Sequence, residues 1–260
     1  DDSGYRIGWY MTPALCRQPS PVSLIVEVVA MKTLGLLGGK SWESTALYSR
    51  RINELVKSAR GGLHSAKIVM VSVNFHEIEA LQQDGEWQRA GELLAQAGRQ
   101  VQAAGADFLM ICTNTMHKVA PQVEAAVTIP LLHLADATAE RVKQKGMQRV
   151  GLLGTEFTMA QDFYKGRLIE RHGLEVLIPA AEDRRIVHRV IFEELCRGRV
   201  RDASRREFLR IIDHLHERGA QGVIEGCTEI VMLVDQSHTD VPLFDTTAIH
   251  AEAAVRRALA

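Results

Sequence analysis

Leu34-Gly35-Leu36-Leu37-Gly38-Gly39 and Val150-Gly151-Leu152-Leu153-Gly154-Thr155 are nearly the same phrase, with Gly151 standing 116 residues after Gly35. Each reads as a buried strand running into a glycine turn, and in the first copy a helical stretch follows from Ser41. Two further correspondences keep the order. Phe108 to Thr115 matches Gly222 to Glu229 at an offset of 114, and Thr128 to Leu132 matches Asp240 to Phe244 at 112. Three ordered matches at nearly constant spacing imply one supersecondary plan encoded twice. Strands are expected at 67–73 and 174–179, and amphipathic helices near 87–104, 183–198 and 204–218. Apolar strands alternating with such helices predict parallel βαβ units covered on both faces, hence an α/β fold in two similar halves. The expected halves are 31–133 and 134–243, with a C-terminal helix within 244–260 packing back on the first.

In open α/β sheets ligands collect beyond the carboxyl ends of the strands. If the halves face each other, Thr113 and Cys227 approach one cleft from opposite sides. The bulk of the chain suits this reading: 260 residues, 46% apolar, formal charge −1. That balance gives no electrostatic reason to expect nucleic acid or an anionic membrane as partner. Val22 to Ala30 is apolar, but Glu27 interrupts it and it is too short to span a bilayer. Cys16, Cys112, Cys196 and Cys227 make no paired spacing, which favours a reducing, cytoplasmic setting. Residues 1–30 hold three of the seven prolines and precede Met31-Lys32, where the orderly pattern starts. They are expected to be an added, processed or upstream-translated extension.

The glycine turn invites a nucleotide reading and fails it. A phosphate loop needs glycine at Leu34, and a dinucleotide fingerprint needs one at Leu37. The turn is instead expected to present backbone N–H groups, with Gly39 and Ser41 near a bound carboxylate and Ser41 capping the next helix, where Glu43 and Ser44 fall in the first turn. Cys227 follows an apolar strand and precedes Thr228 and Glu229 at an expected helix start, where a helix N-terminus would draw its pKa down toward neutrality. A buried structural cysteine is the alternative. Asn114 and Thr115 are candidates for the cleft or for plain helix caps. Asn74, Thr155 and Thr158 are candidates to bind substrate oxygens or nitrogen, or ordinary loop residues. A metal held by Cys112, His117 and Cys227 lacks any characteristic spacing, and no metal or cofactor is expected. Among the ten histidines, His117 and His188 are the candidates for the cleft.

Gly38-Gly39-Lys40-Ser41-Trp42-Glu43-Ser44-Thr45, the Asn74 region, Thr113-Asn114-Thr115-Met116-His117, Gly154-Thr155 with Thr158, and Gly226-Cys227-Thr228-Glu229 together resemble the aspartate/glutamate racemase family. The resemblance covers residues 31–260. It implies two pseudo-symmetric Rossmann-like domains with an interdomain cleft, frequently a homodimer, a small amino-acid substrate, and no pyridoxal phosphate or metal. It also implies two cysteines on opposite faces of the substrate α-carbon, one removing the proton and the other supplying one. Asn74, Asn114, Thr115, Thr155 and Thr228 then match positions that cradle the carboxylate. One position departs. The first family cysteine falls on Thr113, while neighbouring Cys112 should point away by strand alternation. Threonine can donate or relay a proton but is a poor base, so asymmetric catalysis led by Cys227 is expected. A broader-specificity racemase, a related isomerase and a catalytically weak carboxylate-binding regulator are the alternative functions.

Overall fold

Apolar residues make the two central strands, and in the computed structural model, which describes residues 30–260, the first is fully buried and the second is buried beyond its exposed first residue, Arg149. The expected extension therefore lies, except for its last residue, outside the described residues. β1 (Leu34–Gly38) takes β2 (Ile68–Ser72) on one side and β3 (Phe108–Ile111) on the other, all parallel. In the second half β4 (Arg149–Gly154) lies between β5 (Glu175–Leu177) and β6 (Val223–Gly226), and β7 (Leu243–Asp245) adds to β6. The strand orders are β2-β1-β3 and β5-β4-β6-β7. The duplication thus extends from sequence to topology. Even the fourth strand has a counterpart, a parallel bridge from Leu109 to Leu131. The Leu109 N–H donates to the Pro130 carbonyl at 2.9 Å as the Val223 N–H donates to that of Pro242 at 2.8 Å.

Helices cover both sheets. α1 (Trp42–Arg60), α2 (Phe75–Gln83), α3 (Trp87–Ala103) and α4 (Ala120–Ala126) belong to the first half. α5 (Leu134–Gln144), α6 (Glu156–Ala160), α7 (Asp162–Glu170), α8 (Ala181–Glu193) and α9 (Asp202–Glu217) belong to the second. Strand glycines let two of these helices approach closely: a Cβ on Gly35 would overlap Val101 of α3, and one on Gly151 would meet Leu215 of α9 at 3.0 Å. Each large aliphatic side chain so buried is worth about 1.5–3 kcal/mol. α10 (Thr246–Leu259) packs on α1 and on α5, tying the C-terminus to both halves. No helix among the described residues is long and apolar enough to cross a membrane.

One core residue breaks the apolar rule. Glu225 of β6 is 3% exposed, its Oε1 has no hydrogen-bond partner, and Asp245 stands beside it in register. Burial and then the charges of Asp245 and Asp235 push its carboxyl up to about 8, against a smaller opposing effect of Arg51, which pairs with Asp245 at 2.9 Å. The folded state therefore holds a proton that the unfolded chain releases near 4.5. Stability contributed by this protonated form is full below that value and is lost as pH rises through about 8. Thermal denaturation across this range should show a decline on the order of a few kcal/mol. Glu225→Gln should flatten the decline; an unchanged slope would contradict the assignment.

Candidate active site

The carboxyl ends of the two central sheets meet through side chains, and threonines make the junction. Thr115 begins a short 3-10 turn after β3, while Thr155 caps α6 by accepting from the Thr158 N–H at 3.3 Å. The Thr115 hydroxyl lies 3.2 Å from that of Thr155 and 3.5 Å from that of Thr158, with Thr155 and Thr158 3.2 Å apart. Three buried hydroxyls from opposite halves thus share one point. Asn114 stands at the cap position of the Thr115 turn but makes no side-chain capping bond: its Nδ2 donates to Thr246 Oγ1 at 3.2 Å, and its buried Oδ1 has no partner. Thr113 is half-buried, and its hydroxyl makes no hydrogen bond among the described residues.

Across the junction β6 ends at Gly226 and delivers Cys227, Thr228 and Glu229, all buried. The Cys227 thiol donates to Glu229 Oε2 at 3.0 Å, and the Thr228 hydroxyl donates to the same oxygen at 2.7 Å. The expected thiolate-favouring helix is absent. Only a 3-10 turn, Ile230–Met232, follows, too short to build an appreciable dipole. Burial first, and the Glu229 charge next, push the Cys227 thiol well above its usual value, so the resting group is a neutral thiol whose proton points at a carboxylate. The lowered pKa expected from sequence is thereby corrected.

Gly39, Ser41 and Asn74 come together around a cavity that neither Thr113 nor Cys227 lines. They line it, about 400 Å³ in volume, with Trp42, Glu43, Val73, Phe75 and Cys196. Gly39 has φ +90°, and a Cβ there would overlap the Val73 backbone, so no other residue fits. Its own N–H is taken by Thr45 Oγ1 at 2.8 Å, which leaves the N–H groups of Lys40 and Ser41 unbonded among the described residues. Ser41 caps α1 by accepting from the Ser44 N–H at 3.2 Å, and does so at φ 87°, a strained value for a residue with a side chain. Asn74 caps α2 through the His76 N–H and donates to Glu77. Phe75 and Cys196 also line a neighbouring cavity of about 560 Å³, together with Phe157, His188 and Phe192. The N–H of Glu156 donates to His188 Nδ1, so the neutral ring carries its proton on Nε2.

His117 is a structural residue rather than a cleft group. Its Nε2 accepts from the Leu134 N–H at 3.2 Å, so Nδ1 carries the proton and donates to the Thr113 carbonyl at 2.7 Å. Burial and then His133 hold its pKa well below the usual range, and it clamps the Thr113 loop in one neutral tautomer. Cys112 sits in the apolar cluster under α1 and α10, apart from Cys227 in the cluster under α8 and α9. No group of three His, Cys, Asp or Glu residues among the described ones is arranged to hold a metal. Cys196, Phe157 and Phe192 were not singled out from sequence; no motif surrounds them, and only the folding of α6 and α8 over the first half brings them to the mouth.

The profile of the Asp/Glu/hydantoin racemase family matches residues 37–254. A Yersinia pestis crystal structure, described as a candidate Asp/Glu racemase, is 56% identical with a TM-score of 0.84, covering 88% of this chain and 100% of that one. The crystal structure of an aspartate racemase homologue from Pyrococcus horikoshii is 33% identical with a TM-score of 0.76, covering 88% and 99%. A broad specificity amino-acid racemase of Bacillus subtilis is 23% identical over 164 residues, which is 62% of this chain and 68% of that protein.

Proposed function

The chain belongs to the Asp/Glu/hydantoin racemase family, and from that premise we propose that it inverts the α-carbon of aspartate or glutamate between Cys227 on one face and Thr113 on the other. The observation that carries this reading is the Cys227 thiol aimed at Glu229 at 3.0 Å, beside a junction where hydroxyls of both halves meet. Glu229 takes the thiol proton as substrate seats. The Cys227 thiolate then removes the α-hydrogen, and the electron pair of that bond moves into the carboxylate to form an enediolate. Thr113 returns a proton to the opposite face. The cradle for the developing charge is Thr115, Thr155 and Thr158 together with Asn114, Thr228 and the turn at Gly39 and Ser41. Asn74 stands at the entrance. In this reading the proton transfers run between side chains, without a cofactor.

A wider amino-acid range is the second reading. Phe75, Phe157 and Phe192 give the adjoining cavity an aromatic wall, and its roughly 560 Å³ exceeds what aspartate needs. A cytoplasmic homodimer completes the proposal; the edge strand β2, with Met70 47% exposed, leaves backbone groups unpaired on one side. Incubation with L- and D-aspartate, glutamate and a panel of larger amino acids in deuterated water tests the reading, following α-deuterium and chirality. Exchange confined to the two acidic pairs supports the first reading, and exchange across the panel supports the second. No exchange with any amino acid rejects racemisation in favour of a carboxylate-binding role.

A further inference from the structure

A cavity of about 220 Å³ lies between the two halves, and neither Thr113 nor Cys227 lines it. The first half gives it Lys118 and Glu124, α7 of the second gives it Arg167, Glu170 and Arg171, and His133 stands on the connection between them. His133 is 3% exposed. Its Nδ1 accepts from the Ala135 N–H at 3.2 Å as it caps α5, so the neutral ring carries its proton on Nε2. That N–H meets no acceptor among the described residues, a costly state for a buried donor. The surroundings of the ring say which partner would recover the cost. Burial, and after it the Arg167 charge, hold the ring neutral, with Arg171 and His172 adding to the positive field around it. Asp136 engages Arg167 at 2.6 and 2.7 Å, whereas Arg171 makes no ion pair or hydrogen bond among the described residues.

We propose that this cavity is a second ligand site, separate from the catalytic cleft, that takes a small α-amino acid. The ligand carboxylate lies on the His133 Nε2–H and the Arg171 guanidinium, and its ammonium lies on Glu124 or Glu170. The balance of charge selects a zwitterion. Lys118, Arg167 and Arg171 line the cavity together with Glu124, Asp162 and Glu170, so a phosphate or another multivalent anion would meet as much repulsion as attraction. Glu124 and Glu170 make no ion pair among the described residues. The volume falls below the roughly 300–1,000 Å³ of sites for drug-sized ligands, which suits a small amino acid and not a nucleotide. A ligand there touches both halves. The His117 ring, in the same wall with its centre 4.4 Å from that of His133, connects it to the Thr113 carbonyl.

Ring signals of ¹³C-labelled histidine, followed by NMR as glycine is added to the full chain, test the site. Glycine is achiral, so no inversion accompanies its binding. The His133 signals should move saturably, and Arg171→Ala should weaken that response about tenfold, on the scale of one charge-assisted hydrogen bond. Arg171 is exposed and unpaired among the described residues, so this variant should keep the parental melting temperature. Joint replacement Glu124→Gln and Glu170→Gln should weaken glycine by a similar factor and leave acetate, which has no ammonium, unaffected. His188, in the wall of the cavity of about 560 Å³, is the control. Movement at His188 alone would place glycine in that other cavity and overturn the proposal. An unmoved His133, which leaves its N–H to a water molecule, would overturn it as well. So would an equal response to inorganic phosphate, or a glycine response that survives either the loss of Arg171 or the loss of both carboxylates.

Discussion

Replacing Cys227 by Ala should lower inversion in both directions, and α-proton exchange from the antipode facing Cys227, by about 10²–10⁴-fold, the usual contribution of a positioned acid or base. The fold should survive. Cys227 packs as a small apolar group among Leu153, Met159, Val187 and Ile230, and Ala removes one atom from that cluster. Cys227→Ser should be nearly as inactive, because a serine hydroxyl beside Glu229 is harder to ionise than a thiol. The pH dependence carries a sign. Burial and the Glu229 charge hold the thiol up, so the thiolate fraction in the free protein grows as pH rises, and exchange should climb with it through the alkaline range. Deuterium wash-in followed by NMR, with melting curves for each variant, provides the measurement. Substantial inversion in a folded Cys227→Ala protein would move the principal base elsewhere.

Much of this arrangement is legible in the sequence, because it is local. A strand ending in glycine declares itself within six residues, and two such phrases in register with two later matches foretell the common strand order of the two sheets. The Pro130 and Pro242 carbonyls, taking equivalent N–H groups, extend that correspondence to single hydrogen bonds. The strand expected at 174–179 shortens to Glu175–Leu177, and the helix expected over 183–198 ends at Glu193 before a 3-10 turn. What sequence misjudged depends on distant neighbours. The Cys227 pKa follows from burial under α8 and α9 and from Glu229, not from a helix that the strand-end motif suggested. His117 looked like a cleft histidine until Leu134 and Thr113 were seen to use both its ring nitrogens.

The duplication also bears on why the two proposed proton-transfer positions are not equivalent. The same plan places Thr113 and Cys227 after corresponding strands, but their surroundings differ. Cys227 faces a carboxylate, which takes protons from it. Thr113 sits on a loop clamped by a neutral histidine. A carboxylate within reach suits a thiol that must lose its proton, and no comparable acceptor meets the Thr113 hydroxyl among the described residues.

Thr113→Cys tests this asymmetry most directly, and inversion should accelerate by about tenfold or more, since a thiol supplies the base that a hydroxyl cannot. The site tolerates the change: Thr113 is half-buried, and its hydroxyl leaves no hydrogen bond to break among the described residues. Because the two antipodes of an amino acid have equal free energy in water, any gain in kcat/KM must be the same in both directions. The asymmetry is therefore visible only in kcat and KM taken separately, and the variant should bring the two directional kcat values closer together. Polarimetric or circular-dichroism assays started from each antipode would measure this. Unchanged rates in a variant with a parental melting temperature would mean that position 113 does not carry the second proton.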